Sequence, residues 1–324
     1  MIEYLLFFSV PLIISLLVTP LIRRFALNHH VVALQNHRTV HKGEVPKLGG
    51  GAIFLAFLIG LALFYVIKPE LFVQNFRLLL SLAAGVAALF FMGAIDDKAD
   101  LNCNLKLTVE ILVALFAVSM GWKIDVLLLP ASQEIPLGIF AYPFSVLWIV
   151  GVANSFNMID GLDGLAAGIA TAVLLSSMAI SALFGGVLVP VIAIILAGAV
   201  IGFLRYNINP ASIFMGDSGS LSLGFALACI TMNSATVEAG KTVFLIPLLL
   251  LGLPLTDTTL AIFRRWRRGI HPFHADREHV HHRLVNLGLS QSGSALTLVG
   301  LSVILGIMAY LVAQGIRMDM ELFN

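Results

Sequence analysis

Apolar runs of about 16–22 residues recur along the whole chain, separated by shorter polar connections. A helix crossing a bilayer needs roughly 20 such residues. The pattern predicts about ten spans, near 3–22, 48–67, 78–95, 106–121, 142–159, 164–184, 186–204, 219–237, 242–263 and 294–315. The connections are unequal. On one side of the alternation they are mostly short; on the other they are longer and hold nearly every cluster of Asp, Asn, His and Arg. One short-side loop departs from this rule. In KIDVLLLPASQEIPLGIF (123–140), two β-prone runs flank the turn-rich PASQE, which predicts a small hairpin outside the membrane. No repeat or long linker divides the chain, so residues 1–324 read as one all-α polytopic membrane domain with that hairpin as its only sheet.

Composition supports the bilayer as solvent. Of 324 residues, 59% are hydrophobic and 11% charged, where soluble domains carry about 25% charged residues. The first run lacks a small-residue cleavage site and reads as an anchor, not a removable signal. Ten spans place both termini on one side. Of the 19 Lys and Arg, only Lys68, Arg77, Lys123, Lys241 and Arg317 share that side, so positive charge predicts that the termini face out and the polar clusters face the cytoplasm. The net charge of +1 says nothing about partners, and no nucleic acid is expected. Cys103 and Cys229 have neither disulfide nor metal-ligand spacing and read as free thiols.

Four clusters on the basic side could carry chemistry. In GAIDDKADLNCNLK (93–106), Asp96 and Asp97 adjoin at the end of a span and repel each other unless cations sit nearby. Lys98, Lys106 or a divalent metal could supply that charge; the plain alternative is a solvated helix end. In NSFNMIDGLDGLA (154–166), Asn154, Asn157, Asp160 and Asp163 recur every three residues. On one continuous helix each step drifts by about 60° and the four would fan apart. Gly161 and Gly164 allow a break, with one helix ending near Asp160 and Asp163 capping the next, whose N–H groups would face an anion. Such backbone is tolerated at membrane depth only around a watered cavity.

The third cluster, RYNINPASIFMGDSGSLSLGF (205–225), sets Asp217 between Gly216 and Ser218 before an apolar run. Glycine lets backbone approach a phosphate or metal, and a carboxylate suits a hard cation such as Mg²⁺. Phe214 could stack on a base. The plain alternative is a capped helix start. The fourth, RRWRRGIHPFHADREHVHHRL (264–284), holds six basic residues and five histidines. Its arginines, Arg264 and Arg265 among them, also fit a basic membrane flank. His279 and His281 would point apart on a helix and converge in an extended turn. Zinc is the rival for this segment, but Cys ligands and an H-E-x-x-H pattern are missing; an anion-binding cluster explains more of it. A smaller cue, HKGEVPKLGGG (41–51), leads from a basic loop into the second span.

In order, Asp96–Asp97, NSFNMIDGLDGLA, FMGDSGS (214–220) and HADREHVHHRL (274–284) resemble the polyprenyl-phosphate N-acetylhexosamine-1-phosphate transferase superfamily over residues 41–284. The chain is most similar to the bacterial branch acting on UDP-N-acetylglucosamine and undecaprenyl phosphate. The resemblance implies that N-acetylglucosamine 1-phosphate passes to the lipid phosphate with release of UMP, starting a cell-surface polysaccharide, with Mg²⁺ as cofactor and Mn²⁺ able to substitute. It further implies Asp217 and Asn157 as metal ligands, with Asp96, Asp97, Asp160, His279 and His281 as catalytic residues. Substrate contacts are implied at Lys106, Asn154, Asp163, Phe214, Arg264, Arg265 and His282. A homodimer in the bacterial plasma membrane, with its site on the cytoplasmic face, is implied as well. Asp97 is the family's usual candidate base, yet a phosphate monoester with its second pKa near ~6 is mostly dianionic at neutral pH and offers little proton to remove. The muramoyl-pentapeptide transferase and relatives using other sugars remain alternatives. A transporter with intramembrane carboxylates is the alternative from another class; it predicts midplane charges and related halves, neither of which the sequence shows.

Overall fold

The computed structural model of the protein describes residues 2–33, 45–129, 133–237, 240–269 and 279–322. The apolar runs are helical. In chain order they form α1 (Ile2–Asn28), α2 (Gly50–Ile67), a short α3 (Pro69–Gln74), α4 (Phe76–Ala99) and α5 (Cys103–Met120). Then follow strands β1 (Val126–Leu129) and β2 (Gln133–Pro136), helices α6 (Ala141–Ile159), α7 (Leu165–Leu183), α8 (Leu188–Asn207) and α9 (Gly216–Ser234), and strands β3 (Thr236–Val237) and β4 (Lys241–Thr242). The chain closes with α10 (Leu245–Leu250), α11 (Gly252–Arg267), α12 (Val280–Asn286) and α13 (Gln291–Leu322). Eight of the described helices are long and apolar enough to cross a membrane, and the protein is a multi-pass, all-α membrane protein.

The eighth and ninth expected spans differ from the rest for physical reasons. Almost every residue of α9 is buried, against α4, α6 and α7 among others. A helix with no lipid-facing side needs small residues, and α9 is rich in Gly, Ser and Ala. The run 242–263 is not one helix but α10 followed by α11, broken at Leu251. Pro254 causes the break: it has no N–H for the Leu250 carbonyl, and its ring collides with that carbonyl in a continuous helix.

The expected hairpin is present. β1 and β2 pair antiparallel, Val126 opposite Pro136 and Leu129 opposite Gln133, while the turn at 130–132 lies outside the described residues. The sheet is larger than the sequence pattern suggested. β4 adds parallel to β1 and β3 antiparallel to β4, giving the order β2-β1-β4-β3. Because α5 leads directly from the 93–106 cluster to β1, the sheet caps the bundle end opposite the polar clusters. Both cysteines are free, Cys103 exposed and Cys229 buried.

Candidate functional site

The site is assembled where α4, α5 and α9 meet. Asp100 ends α4 in a left-handed conformation, and Asn102 caps α5 by accepting the Asn104 N–H at 2.9 Å. This tight corner returns Lys106, in the first turn of α5, onto the last turn of α4. The Lys106 ammonium lies 2.8 Å from Asp96 Oδ2 and 3.4 Å from Asp217 Oδ2. Asp96 also accepts the Leu101 N–H at 2.7 Å. Three of the expected residues therefore form one charge cluster, with two carboxylates on a single ammonium.

Asp97 points elsewhere. Its Oδ1 accepts the Asp217 N–H at 3.0 Å and its Oδ2 the Ser218 N–H at 3.1 Å. The carboxylate thus serves as the cap of α9, a helix with no cap from its own N-cap residue, Met215. A negative group is favoured there by the unpaired N–H groups and the helix dipole. The preceding Gly216 has φ +74°, and a Cβ on it would sit 2.4 Å from Asp97 Oδ2, so both its backbone and its bareness serve this contact. Lys47 lies within electrostatic reach of Asp97. It is carried there by a short ladder in which the Phe214 N–H bonds Pro46 O and the Gly49 N–H bonds Phe214 O. Phe214 is half-buried at this seam.

The α6–α7 connection supplies the amides. Asn157 Nδ2 donates to Ser220 Oγ at 2.8 Å, and that hydroxyl donates to Gly216 O at 3.0 Å. This chain fixes the Asn157 amide, whose side chain also hydrogen-bonds the Asp217 carboxylate. One turn earlier, Asn154 Nδ2 donates to Glu110 Oε2 and to Val150 O. The helix ends at Ile159 and restarts at Leu165, as the spacing predicted. The expected cap does not form, however. Gly164 is the N-cap of α7, and its own N–H goes to Asn207 Oδ1 at 3.1 Å. Asp163 instead accepts from Asn209 Nδ2 and the Ala211 N–H, each at 2.9 Å, latching the α8–α9 loop. A local cap was displaced by partners more than forty residues away. Asp160 occupies the break itself. Burial, with the charges of Asp217, Asp97 and Asp163, pushes its carboxyl up to about 7, so it titrates around neutrality.

The histidines form the opposite wall. His279 precedes α12 in an extended conformation, and its ring stacks with that of His281, centroids 5.7 Å apart and planes within 5°. The two do converge. His281 reaches the α6–α7 turn, where a Cβ on Gly161 would lie 2.3 Å from its Nε2. Burial, then the neighbouring His282 and His279, pushes the His281 imidazole down to about 4, so it is neutral at pH 7. His282 packs against His281 and is exposed. His279 Nδ1 is 2.8 Å from Asp257 Oδ2, on α11. Arg264 and Arg265 lie in the last turn of the same helix, Arg265 buried. His271, His274 and Arg277 of the fourth cluster lie outside the described residues.

Among the described residues, no three His, Cys, Asp or Glu side chains converge as a ready-made metal cage. That donor set still fits Mg²⁺, which is commonly held by one or two protein oxygens together with substrate phosphates. The Asp217 carboxylate, with the Asn157 side chain in hydrogen-bonding contact with it, belongs to that hard-oxygen class.

Sequence reasoning missed Glu110, Asp257 and Ser220. The first two had a legible signal, since an acidic residue inside an apolar run is costly unless it has a task. Glu110 is buried and follows Lys106 by one helical turn on α5. Glu110→Leu removes one of the two acceptors of the half-buried Asn154 amide and should lower stability by about 1 kcal/mol. Glu110→Gln, which can still accept that bond, should stay close to the parent. Thermal unfolding in detergent checks both, and equal midpoints for the Leu and Gln variants would sink the pairing.

Comparison with known proteins bears on what this arrangement is for. Residues 79–235, which contain three of the four clusters, match glycosyl transferase family 4. The chain is 36% identical over 311 residues to a probable undecaprenyl-phosphate N-acetylglucosaminyl 1-phosphate transferase of Bacillus subtilis, covering 95% of this chain and 85% of the relative. The chain belongs to glycosyl transferase family 4. It is 34% identical over 303 residues to a decaprenyl-phosphate N-acetylglucosaminephosphotransferase of Mycobacterium tuberculosis, covering 86% and 74% of the two chains. It is 28% identical over 291 residues to the undecaprenyl-phosphate alpha-N-acetylglucosaminyl 1-phosphate transferase of Escherichia coli K12, covering 86% and 76%. Within the family it falls in the polyprenyl-phosphate N-acetylhexosamine-1-phosphate transferase superfamily, in the bacterial N-acetylglucosaminyl branch. This family 4 member is an enzyme that transfers a sugar 1-phosphate, and the transporter alternative falls away.

Proposed function

We propose that the enzyme transfers N-acetylglucosamine 1-phosphate from UDP-N-acetylglucosamine to undecaprenyl phosphate at the cytoplasmic face of the bacterial plasma membrane. The reading is supported by the relatives' names, and its physical basis is one cluster. Asp96, Asp97, Asp217 and Lys106 stand together at a helix end with the Asn157 amide, next to the Asp160 turn and the histidine wall. Carboxylates in excess of ammonium groups at a bilayer edge suit a site that recruits a divalent cation and then a diphosphate.

The reaction joins an oxygen of the lipid phosphate to the sugar-bearing phosphorus of the donor. The bond from that phosphorus to the bridging oxygen breaks, and UMP leaves. Two polyanions must meet, so alignment and charge neutralisation carry most of the catalysis. Mg²⁺, or Mn²⁺ in its place, held by Asp217 and Asn157, would supply part of that neutralisation. Lys106, held by Asp96, supplies a fixed ammonium for phosphate oxygens. His279 and His281 bind the donor diphosphate, and Phe214 bounds the nucleotide side. Asp97 keeps the α9 N-terminus, and with it Asp217, in place.

The test is UMP release by purified protein in nanodiscs. Undecaprenyl and decaprenyl phosphate serve as acceptors, against a panel of UDP-N-acetylglucosamine, UDP-N-acetylgalactosamine and UDP-N-acetylmuramoyl-pentapeptide. Turnover is expected with UDP-N-acetylglucosamine and undecaprenyl phosphate. Preference for the muramoyl donor or for decaprenyl phosphate would refute the donor or acceptor assignment respectively.

A further inference from the structure

Asp257 is 1% exposed, on α11, outside every motif read from the sequence. Both its oxygens are engaged by one short segment. Oδ2 lies 2.8 Å from His279 Nδ1, and Oδ1 accepts the Val280 N–H at 2.9 Å. One carboxylate thus grips the imidazole and also the first turn of α12. A carboxylate only accepts, so the ring nitrogen facing it must carry the proton. The other nitrogen, Nε2, is then the one left to meet a ligand. Rotation of the ring about its side-chain torsions would break the bond to Oδ2, and shifting the helix start would break the bond to Oδ1.

We infer that Asp257 is a positioning residue for sugar-phosphate transfer, fixing the tautomer and direction of His279 so that its Nε2 faces the donor diphosphate. The inference rests on the reading of His279 as a diphosphate contact. A buried carboxylate with no such duty would be an unneeded cost, because taking a charge out of water requires compensating bonds. Among the described residues the compensation comes from the segment that carries the histidine. Asn at position 257 can still accept one bond, but its NH₂ group would face either a backbone N–H or the protonated Nδ1. Relief of that clash moves the ring proton to Nε2 or turns the ring away.

The test is a double-mutant cycle on the full chain in nanodiscs, with UMP release giving kcat and KM for the donor. His279→Ala is measured first. Asp257→Asn is expected to lower kcat by about 10–100-fold, the range for losing an orienting partner of a working histidine. Donor KM and the melting temperature should change little. In the His279→Ala background, Asp257→Asn should cost nothing further, because the residue acts through that ring. Multiplying losses in the double variant would overturn the inference, as would a Asp257→Asn enzyme at the parent rate beside an impaired His279→Ala. A fully active His279→Ala would overturn the diphosphate reading of that histidine, and the role of Asp257 with it. If Asp257→Asn fails to fold, Asp257→Glu decides: it keeps the acceptor and should recover most of kcat in a His279 enzyme. An Asp257→Glu that melts like the parent but turns over no faster than His279→Ala would refute the positioning role.

Discussion

Replacing Asp217 by alanine is expected to abolish sugar-phosphate transfer while the protein still inserts and elutes as the parent does. The expected loss is about 10³-fold or more, the scale for removing a positioned charge stabiliser in a water-poor site. Asp217 stands in the first turn of α9, its Oδ2 3.4 Å from the Lys106 ammonium and its neighbour Asn157 held by Ser220. An acidic residue in a first turn is worth only about 0.3–1 kcal/mol to the helix, so loss of fold cannot explain loss of turnover. EDTA should silence the parent enzyme in the same assay, with recovery on adding Mg²⁺ or Mn²⁺. Full activity in EDTA would remove the metal from the mechanism, and an Asp217→Ala enzyme within tenfold of the parent would move the metal site elsewhere.

The contrast between Asp217 and Asp163 shows what a sequence can and cannot disclose. Both read as a polar residue at a helix start. Asp217 is where that pattern places it, in the first turn of α9. Asp163 fails the same expectation because Asn209 and Ala211 compete for its carboxylate, and nothing local announces a partner so far along the chain. The apolar runs themselves were legible. The run at 164–184 became Leu165–Leu183, for instance, because burial of apolar side chains sets helix length in a bilayer. The break between α10 and α11 was not, because the hydropathy of 242–263 is uninterrupted and a proline alone does not announce a break, as Pro11 and Pro20 inside α1 show. Glu110 and Asp257 stand out as acids inside apolar runs, but their partners, 44 and 22 residues distant, do not. A pattern of side-chain types reports which face is greasy. It does not report which buried acid has found which amide or ring.

Asp97 is where the structure bears hardest on the chemistry. As an obligatory base it would take a proton from the lipid phosphate, yet both its oxygens are turned onto the N–H groups of Asp217 and Ser218. Accepting a proton would weaken both bonds and loosen the start of α9 just where Asp217 must be held. The nucleophile has little need of help, since a phosphate monoester with a second pKa near ~6 is largely dianionic at pH 7. Asp97→Asn is therefore expected to be slow but not dead. Its amide can cap only one of the two N–H groups, at a cost of about 1–2 kcal/mol to the α9 terminus. With saturating substrates, the logarithm of its residual rate should rise with pH and level off above the second pKa of the lipid phosphate. Asp160, which titrates near 7, could produce a similar limb. An acceptor whose phosphate is replaced by a difluoromethylene phosphonate separates the two, because its second pKa is lower. The limb should move to lower pH with the phosphonate if the acceptor's own ionisation is being read, and stay in place if Asp160 sets it. A flat profile at background rate with both acceptors would restore Asp97 as the base, and the capping of α9 would then be only its resting state.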